Sequence, residues 1–129
     1  MRDIREYSPL VCAFVGDAVF DLVIRTAVTL GENRPVRKLH REKAAVVNAH
    51  AQAMLAERVA PILTKEEAEI LRRGRNAHSQ TTPKNQSIAD YHMATGLEAL
   101  VGYLYLTGRT GRLLEILHAG LETGGEADG

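Results

Sequence analysis

A chain of 129 residues, 45% hydrophobic and 25% charged, has the size and composition of one globular domain, which excludes disordered and low-complexity readings. Sixteen Lys and Arg balance sixteen Asp and Glu for a formal net charge of +0, so a nucleic-acid role has to rest on local patches rather than on overall basicity. The single Cys12 excludes an intramolecular disulfide and a multi-thiolate zinc site, and the default setting is a reducing, cytoplasmic one.

Ser8-Pro9 predicts a helix start, because Ser can cap and Pro tolerates the first helical position; Gly31 predicts its end. The segment 9–30 is apolar on nearly every side except at Asp17, Asp21 and Arg25, which recur at i, i+4 and i+8. It reads as a buried helix with one polar stripe. Those charges also interrupt any membrane span, and residues 1–6 lack the apolar core of a signal peptide. After a loop over 31–35, Arg34, Arg37, Lys38, Arg41 and Lys43 form a basic patch opposed only by Glu42. Ala44, Val47, Ala51, Met54, Leu55 and Val59 keep helical spacing and predict a second helix ending near Pro61. Thr64-Lys65-Glu66-Glu67 is a capping box for a short third helix that Gly74 closes.

Between 70 and 89 there is no acidic residue, while Arg72, Arg73, Arg75 and Lys84 stand among Asn76, His78, Ser79, Gln80, Thr81, Thr82 and Asn85. This is expected to be a polar, basic loop. Ser87 with Asp90 opens a fourth helix running to Leu106, with Leu97, Leu100, Val101 and Leu104 on its apolar face. Leu113, Leu114, Leu117 and Leu121 mark a last amphipathic helix, and the ends, 1–7 and 122–129, are expected to fray. No segment alternates with period two, so the fold class is all-α, a single domain over 1–129.

Two carboxylates sit in apolar runs: Asp17 in Phe14-Val15-Gly16-Asp17-Ala18-Val19-Phe20 and Glu98 in Leu97-Glu98-Ala99-Leu100-Val101-Gly102-Tyr103. Each needs a cation, a hydrogen-bond network or a raised pKa. Gly16 and Gly102 allow close backbone approach, so the two helices are expected to cross near their acids and assemble a two-carboxylate site. Two acids suffice for Mg²⁺, whose remaining positions go to water and phosphate; against this stands plain ion pairing, which is the better reading for Asp21 with Arg25. The basic loop offers guanidinium, amide and hydroxyl groups suited to phosphate and ribose oxygens, although charge runs are usually solvated surface. No His pair has H-x-x-x-H spacing. The glycine-rich phosphate-cradling motifs and Gly-x-Ser-x-Gly are also absent, which removes nucleotide-cradling and serine-hydrolase readings.

Taken together, the Gly16-Asp17 run resembles the signature of ribonuclease III catalytic domains, and the segment from Leu97 to Leu106 resembles their second acidic helix. Arg73-Gly74-Arg75-Asn76-Ala77-His78-Ser79 followed by Thr81-Thr82-Pro83-Lys84-Asn85 is similar to the Mini-III family, which lacks a double-stranded-RNA-binding domain. The resemblance covers about residues 8–120. It implies Asp17 and Glu98 as catalytic residues and metal ligands, with Mg²⁺ as cofactor and Mn²⁺ able to substitute. The candidate RNA contacts are those of the basic loop, Arg72, Arg73, Arg75, Asn76, His78, Ser79, Thr81, Thr82, Lys84 and Asn85, while Asp21 and Thr95 are candidate supports of the two acids. Larger ribonuclease III proteins have two further carboxylates where this chain has Ala13 and Thr95, which leaves more of the coordination shell to water. The implied activity is a homodimeric endoribonuclease that cleaves double-stranded RNA to 5′-phosphate products. Its implied task is maturation of the large-subunit (23S) ribosomal RNA precursor, with a ribosomal protein as a further partner that presents the substrate. The rival readings are a helical RNA-binding protein without catalysis and a helical dimerisation module.

Overall fold

The computed structural model describes residues 3, 6–31, 35–77 and 87–128, with side chains through 122. Among the described residues there are six α-helices and no strand: α1 (Pro9–Gly31), α2 (Val36–Val46), α3 (Ala49–Val59), α4 (Lys65–Asn76), α5 (Ile88–Leu106) and α6 (Thr110–Asp128). A 3-10 turn over Ala60–Ile62 follows α3, where Pro61 ends the regular helix. The starts read from sequence are capped as expected. Ser8 Oγ accepts from Leu10 N at 3.1 Å, Thr64 and Glu67 form a reciprocal capping box, and Ser87 Oγ accepts from Asp90 N at 3.3 Å.

The architecture is organised around α5, which α1, α3 and α4 flank extensively and α6 more lightly. From 94 to 104 every residue of α5 is buried except Glu98. Leu97, Leu100, Val101 and Leu104 meet Phe20 and Ile24 of α1, Leu55 and Val59 of α3, and Leu113, Ile116 and Leu117 of α6. Each such side chain removed from water contributes roughly 1.5–3 kcal/mol before entropy is counted. The start of α4 is tied to α6 by Glu67, only 3% exposed, which accepts a bidentate pair of bonds from Arg112 at 2.8 Å each. Arg112 holds the Glu67 carboxyl below its ordinary range, as a buried carboxylate requires.

Five expectations are corrected. The helix foreseen over 44–59 is two helices broken at Val47 and Asn48. Asn48 bonds backward to the Ala44 and Ala45 carbonyls and caps α3 by accepting from Ala51 N, so its side chain competes with a continuous helix. Gly74 does not close α4 but lies inside it, buried against Gly96 and Ala99 of α5, where no Cβ fits. Consequently Arg72, Arg73, Arg75 and Asn76 are helical, and the loop begins only after them. Finally, α1 is not a buried helix with one polar stripe: Cys12, Ala13, Gly16, Phe20 and Ile24 are buried, whereas Phe14 is 80% and Leu22 64% exposed. On α6 the buried set includes Ile116 in place of Leu114. His78, Ser79, Thr81, Thr82, Lys84 and Asn85 lie outside the described residues, as do several of the terminal ones; the α6 backbone is helical to Asp128.

The tightest packing is between α1 and α5. A Cβ on Gly16 would overlap the Glu98 carbonyl, and one on Gly102 would overlap the Cys12 carbonyl, so the two backbones touch with no side chain between them. Gly102→Ala should therefore lower unfolding stability by about 3 kcal/mol, the upper end of the usual overpacking range, in a urea melt. Gly111→Ala, with nothing near its Cβ position, should leave it within about 0.5 kcal/mol or raise it slightly.

Candidate active site

The glycine contact decides where the acids go. Asp17 follows Gly16 directly, and the Glu98 peptide is the surface against which Gly16 rests. On the helical wheel of α1, Asp17 falls at the flank between the packed residues and the exposed stripe Val11, Phe14, Ala18 and Leu22. Its carboxylate is exposed, while Glu98 is half-buried beside it, and the two carboxyls share a hydrogen bond. The expected two-helix, two-carboxylate arrangement is thus present in the fold.

Burial, above all, and the adjoining Asp17 push the Glu98 carboxyl up to about 8. The Gln52 amide on α3 partly offsets this rise. That contact is looser than an ordinary hydrogen bond, since the buried Gln52 Nε2 has no partner of standard geometry. Gln52 was not singled out from the sequence. Its signal is position: it stands three, four and seven residues before Leu55, Ala56 and Val59, on the core side of an alanine-rich helix where an amide is out of place.

The supporting residues divide. Asp21 does not join the pair; Arg25 Nε lies at 2.6 Å and Lys43 Nζ at 3.3 Å from its oxygens. Burial pushes its carboxyl up, but these two cations more than offset that and hold it below the ordinary range. Thr95 and Ala13, one turn before the two acids, are both buried, and the Thr95 hydroxyl donates to the Tyr91 carbonyl at 3.0 Å. Neither supplies a charge, so the donor set is two carboxylates.

Such a pair fits a hard divalent cation. All its donors are oxygens, a cation relieves the repulsion that otherwise keeps a proton on Glu98, and a Mg²⁺ with one or two protein carboxylates retains room for water and phosphate. Among the described residues no three of His, Cys, Asp and Glu converge on a metal-sized point.

Of the residues read as RNA contacts, four are in view, all near the end of α4. Arg72 is clamped by Glu69, one turn back, through bonds of 2.9 and 2.5 Å. The segment without acids is therefore partly neutralised by the acid just before it. Arg73 is half-buried, with its charge near the Cys12 thiol, whose pKa burial raises and Arg73 lowers in part. Arg75 is exposed, its Nε 3.5 Å from Asn76 Oδ1. His50 Nδ1, at the start of α3, meets Asp90 Oδ2 at 2.9 Å and ties that end to the start of α5.

A raised carboxyl links stability to pH. Glu98 binds a proton more tightly in the folded state than at its ordinary 4.5, so folding of the metal-free protein is favoured least once both states are ionised. The penalty grows as pH rises from about 4.5 through about 8. Glu98→Gln should therefore melt above the wild type at pH 9 without metal, with the difference closing toward pH 5, as followed by circular dichroism.

Residues 10–109 match the Ribonuclease III domain family. The Mini-ribonuclease 3 of Thermoanaerobacter sp. is 50% identical over 115 residues, covering 89% of this chain and 81% of its own. That of Enterococcus faecalis is 40% identical over 131 residues, covering 99% and 98%. The crystal structure of a Fusobacterium nucleatum protein superposes with a TM-score of 0.83 at 32% identity, over 92% of this chain and 96% of that one. With that family covering most of the chain, and with the acids of its motifs brought together by the α1–α5 crossing, the chain belongs to the Mini-III ribonucleases.

Proposed function

We propose that this ribonuclease is a divalent-metal-dependent endonuclease for double-stranded RNA, in which Asp17 and Glu98 hold Mg²⁺, or Mn²⁺ in its place. The observation that carries the reading is the adjoining carboxylate pair, one member half-buried and strongly perturbed, in a fold that otherwise buries apolar surface there. When bound, the cation supplies Lewis acidity, lowering the pKa of water and countering the charge that develops on phosphate. Asp17 and Glu98 orient it from two rigid helices whose backbones touch, which leaves little freedom for misplacement. The expected products keep a 5′-phosphate and a 3′-hydroxyl.

Duplex RNA presents phosphates and 2′-hydroxyls more than readable base edges. Arg75, Asn76 and Arg73 at the end of α4, with His78, Ser79, Thr81, Thr82, Lys84 and Asn85 beyond it, have the chemistry for those oxygens; Arg72 must first release Glu69. The substrate within the cell is taken to be the precursor of large-subunit (23S) ribosomal RNA, with a ribosomal protein presenting it, on the strength of the Mini-III resemblance. Among the described residues no helix is long and apolar enough to cross a membrane.

The exposed stripe Val11, Phe14, Ala18 and Leu22 supports a homodimer through α1, because four consecutive turns present apolar surface that none of the described residues covers. A two-fold axis matches the two antiparallel strands of a duplex, so identical sites can address both.

Asp17→Ala and Glu98→Ala should each lower cleavage of long duplex RNA in Mg²⁺ by at least about 100-fold while duplex binding persists in a gel shift. Near-normal turnover by either would remove the assignment, and wild-type protein that binds duplex without cutting it would favour the RNA-binding alternative. Mixed dimers of wild-type and Glu98→Ala chains should release nicked duplex on a denaturing gel; double-strand cuts at reduced rate alone would indicate independently acting monomers.

A further inference from the structure

We propose that Gln52 is a positioning residue of the ribonuclease site, its side-chain amide donating to the Glu98 carboxylate and holding it in the orientation that, with Asp17, receives the divalent cation. The proposal rests on the metal reading above and adds a third helix, α3, to the site.

Gln52 is 5% exposed, yet its Nε2 has no hydrogen-bond partner of standard geometry. A buried amide donor left unpaired is uncommon and costly. Its neighbours on the buried side of α3 are Ala53, Leu55, Ala56 and Val59, all apolar, so stability alone would favour an apolar side chain of similar length. The polar group the amide does face is the Glu98 carboxyl. In the metal-free protein that carboxyl is engaged with Asp17, and the amide makes only the loose contact already described. A cation would be held by both carboxylates, so the orientation of Glu98 matters to it, and the amide beside that carboxyl is the group placed to fix it. An anionic acceptor forms a shorter and stronger bond with an amide than a neutral one does. The buried donor without a partner would thus have its use in holding Glu98 in place for the cation. Groups that orient metal-ligating side chains in this way typically change metal affinity by roughly 10- to 100-fold when removed.

The test replaces Gln52 by Met, which keeps length and bulk without the donor. Mn²⁺ binding is measured on the folded protein without RNA, by titration calorimetry and by loss of the free-ion paramagnetic resonance signal. Gln52→Met should bind Mn²⁺ roughly 10- to 100-fold more weakly than wild type. Its metal-free melting temperature should be equal or higher, because an unpaired buried donor has been removed. A purely structural Gln52 would lower melting temperature and leave Mn²⁺ affinity unmoved, and that outcome overturns the assignment. Should the variant fail to fold, the wild-type protein still decides. The Gln52 side-chain amide resonances in a ¹⁵N spectrum should shift on addition of Mg²⁺, and their failure to move while backbone signals of Asp17 and Glu98 do move overturns it equally. Asp17→Asn serves as the control. If wild type binds Mn²⁺, Asp17→Asn does not and Gln52→Met does so normally, the metal site stands and only the role of Gln52 falls. If wild type itself binds no Mn²⁺, both fall.

Discussion

Everything in this molecule that bears on chemistry depends on one contact, the backbone-to-backbone crossing of α1 and α5 at Gly16 and Gly102. Helix axes with ordinary side chains between them stand about 8–10 Å apart. At that spacing two short carboxylate side chains on adjoining flanks have more space to span. Removing Cβ from both contact points brings the helices inward, and the residues next in line, Asp17 after Gly16 and Glu98 one turn before Gly102, are brought together as a consequence. The same device recurs between α4 and α5 at Gly74 and Gly96, where it draws the arginine-bearing end of α4 against the helix that carries Glu98. One central helix thus meets two neighbours at glycine contacts, and both contacts lie beside residues for which a function is proposed.

The cost of the arrangement is visible in α5. Between 94 and 104 the only residue not fully buried is a carboxylic acid, in a segment where every other position contributes to the core or to a close crossing. Burial and Asp17 both disfavour its charge, and Gln52 compensates incompletely. A sequence selected for stability alone would place an apolar side chain at 98 and at 52. A half-buried acid beside a second acid is instead consistent with the proposed cation site, since a cation would offset the repulsion between the two. By contrast, the buried Glu67 carboxylate is satisfied by the partly exposed Arg112, with bidentate geometry and a further Arg112 bond to the Ile62 carbonyl, and it requires nothing from outside.

The faces of α1 divide labour. One side supplies Phe20 and Ile24 to the core and Gly16 to the crossing, the opposite side carries the stripe from Val11 to Leu22 that is exposed among the described residues, and Asp17 lies at the boundary. A second copy seated on the stripe, as proposed, would therefore lie close to the acids without covering them. The unusually apolar sequence of this helix is accounted for by one face that packs in the core and a second face that is apolar but exposed.

Much of this was legible beforehand because it is local. Caps at Ser8, Thr64 and Ser87, the leucine spacing of α5, and a glycine beside each apolar-run acid are short-range patterns, and they were enough to anticipate an all-α chain with a crossing at Asp17 and Glu98. The sequence also carries the ion pair of Asp21 with Arg25, since i, i+4 neighbours meet on any helix. What it did not determine is non-local. Whether Gly74 ends a helix or lets one pack depends on Gly96 lying opposite, twenty-two residues away in the chain but in contact in space. Likewise, an apolar α1 is compatible with a fully buried helix or a half-covered one until the neighbours that cover it are counted. Gln52 stands at a core-side position of its helix, but that its amide lacks a partner emerges only once α3 is docked on α5, because this is a property of the packed interior and not of the residues beside it in the chain.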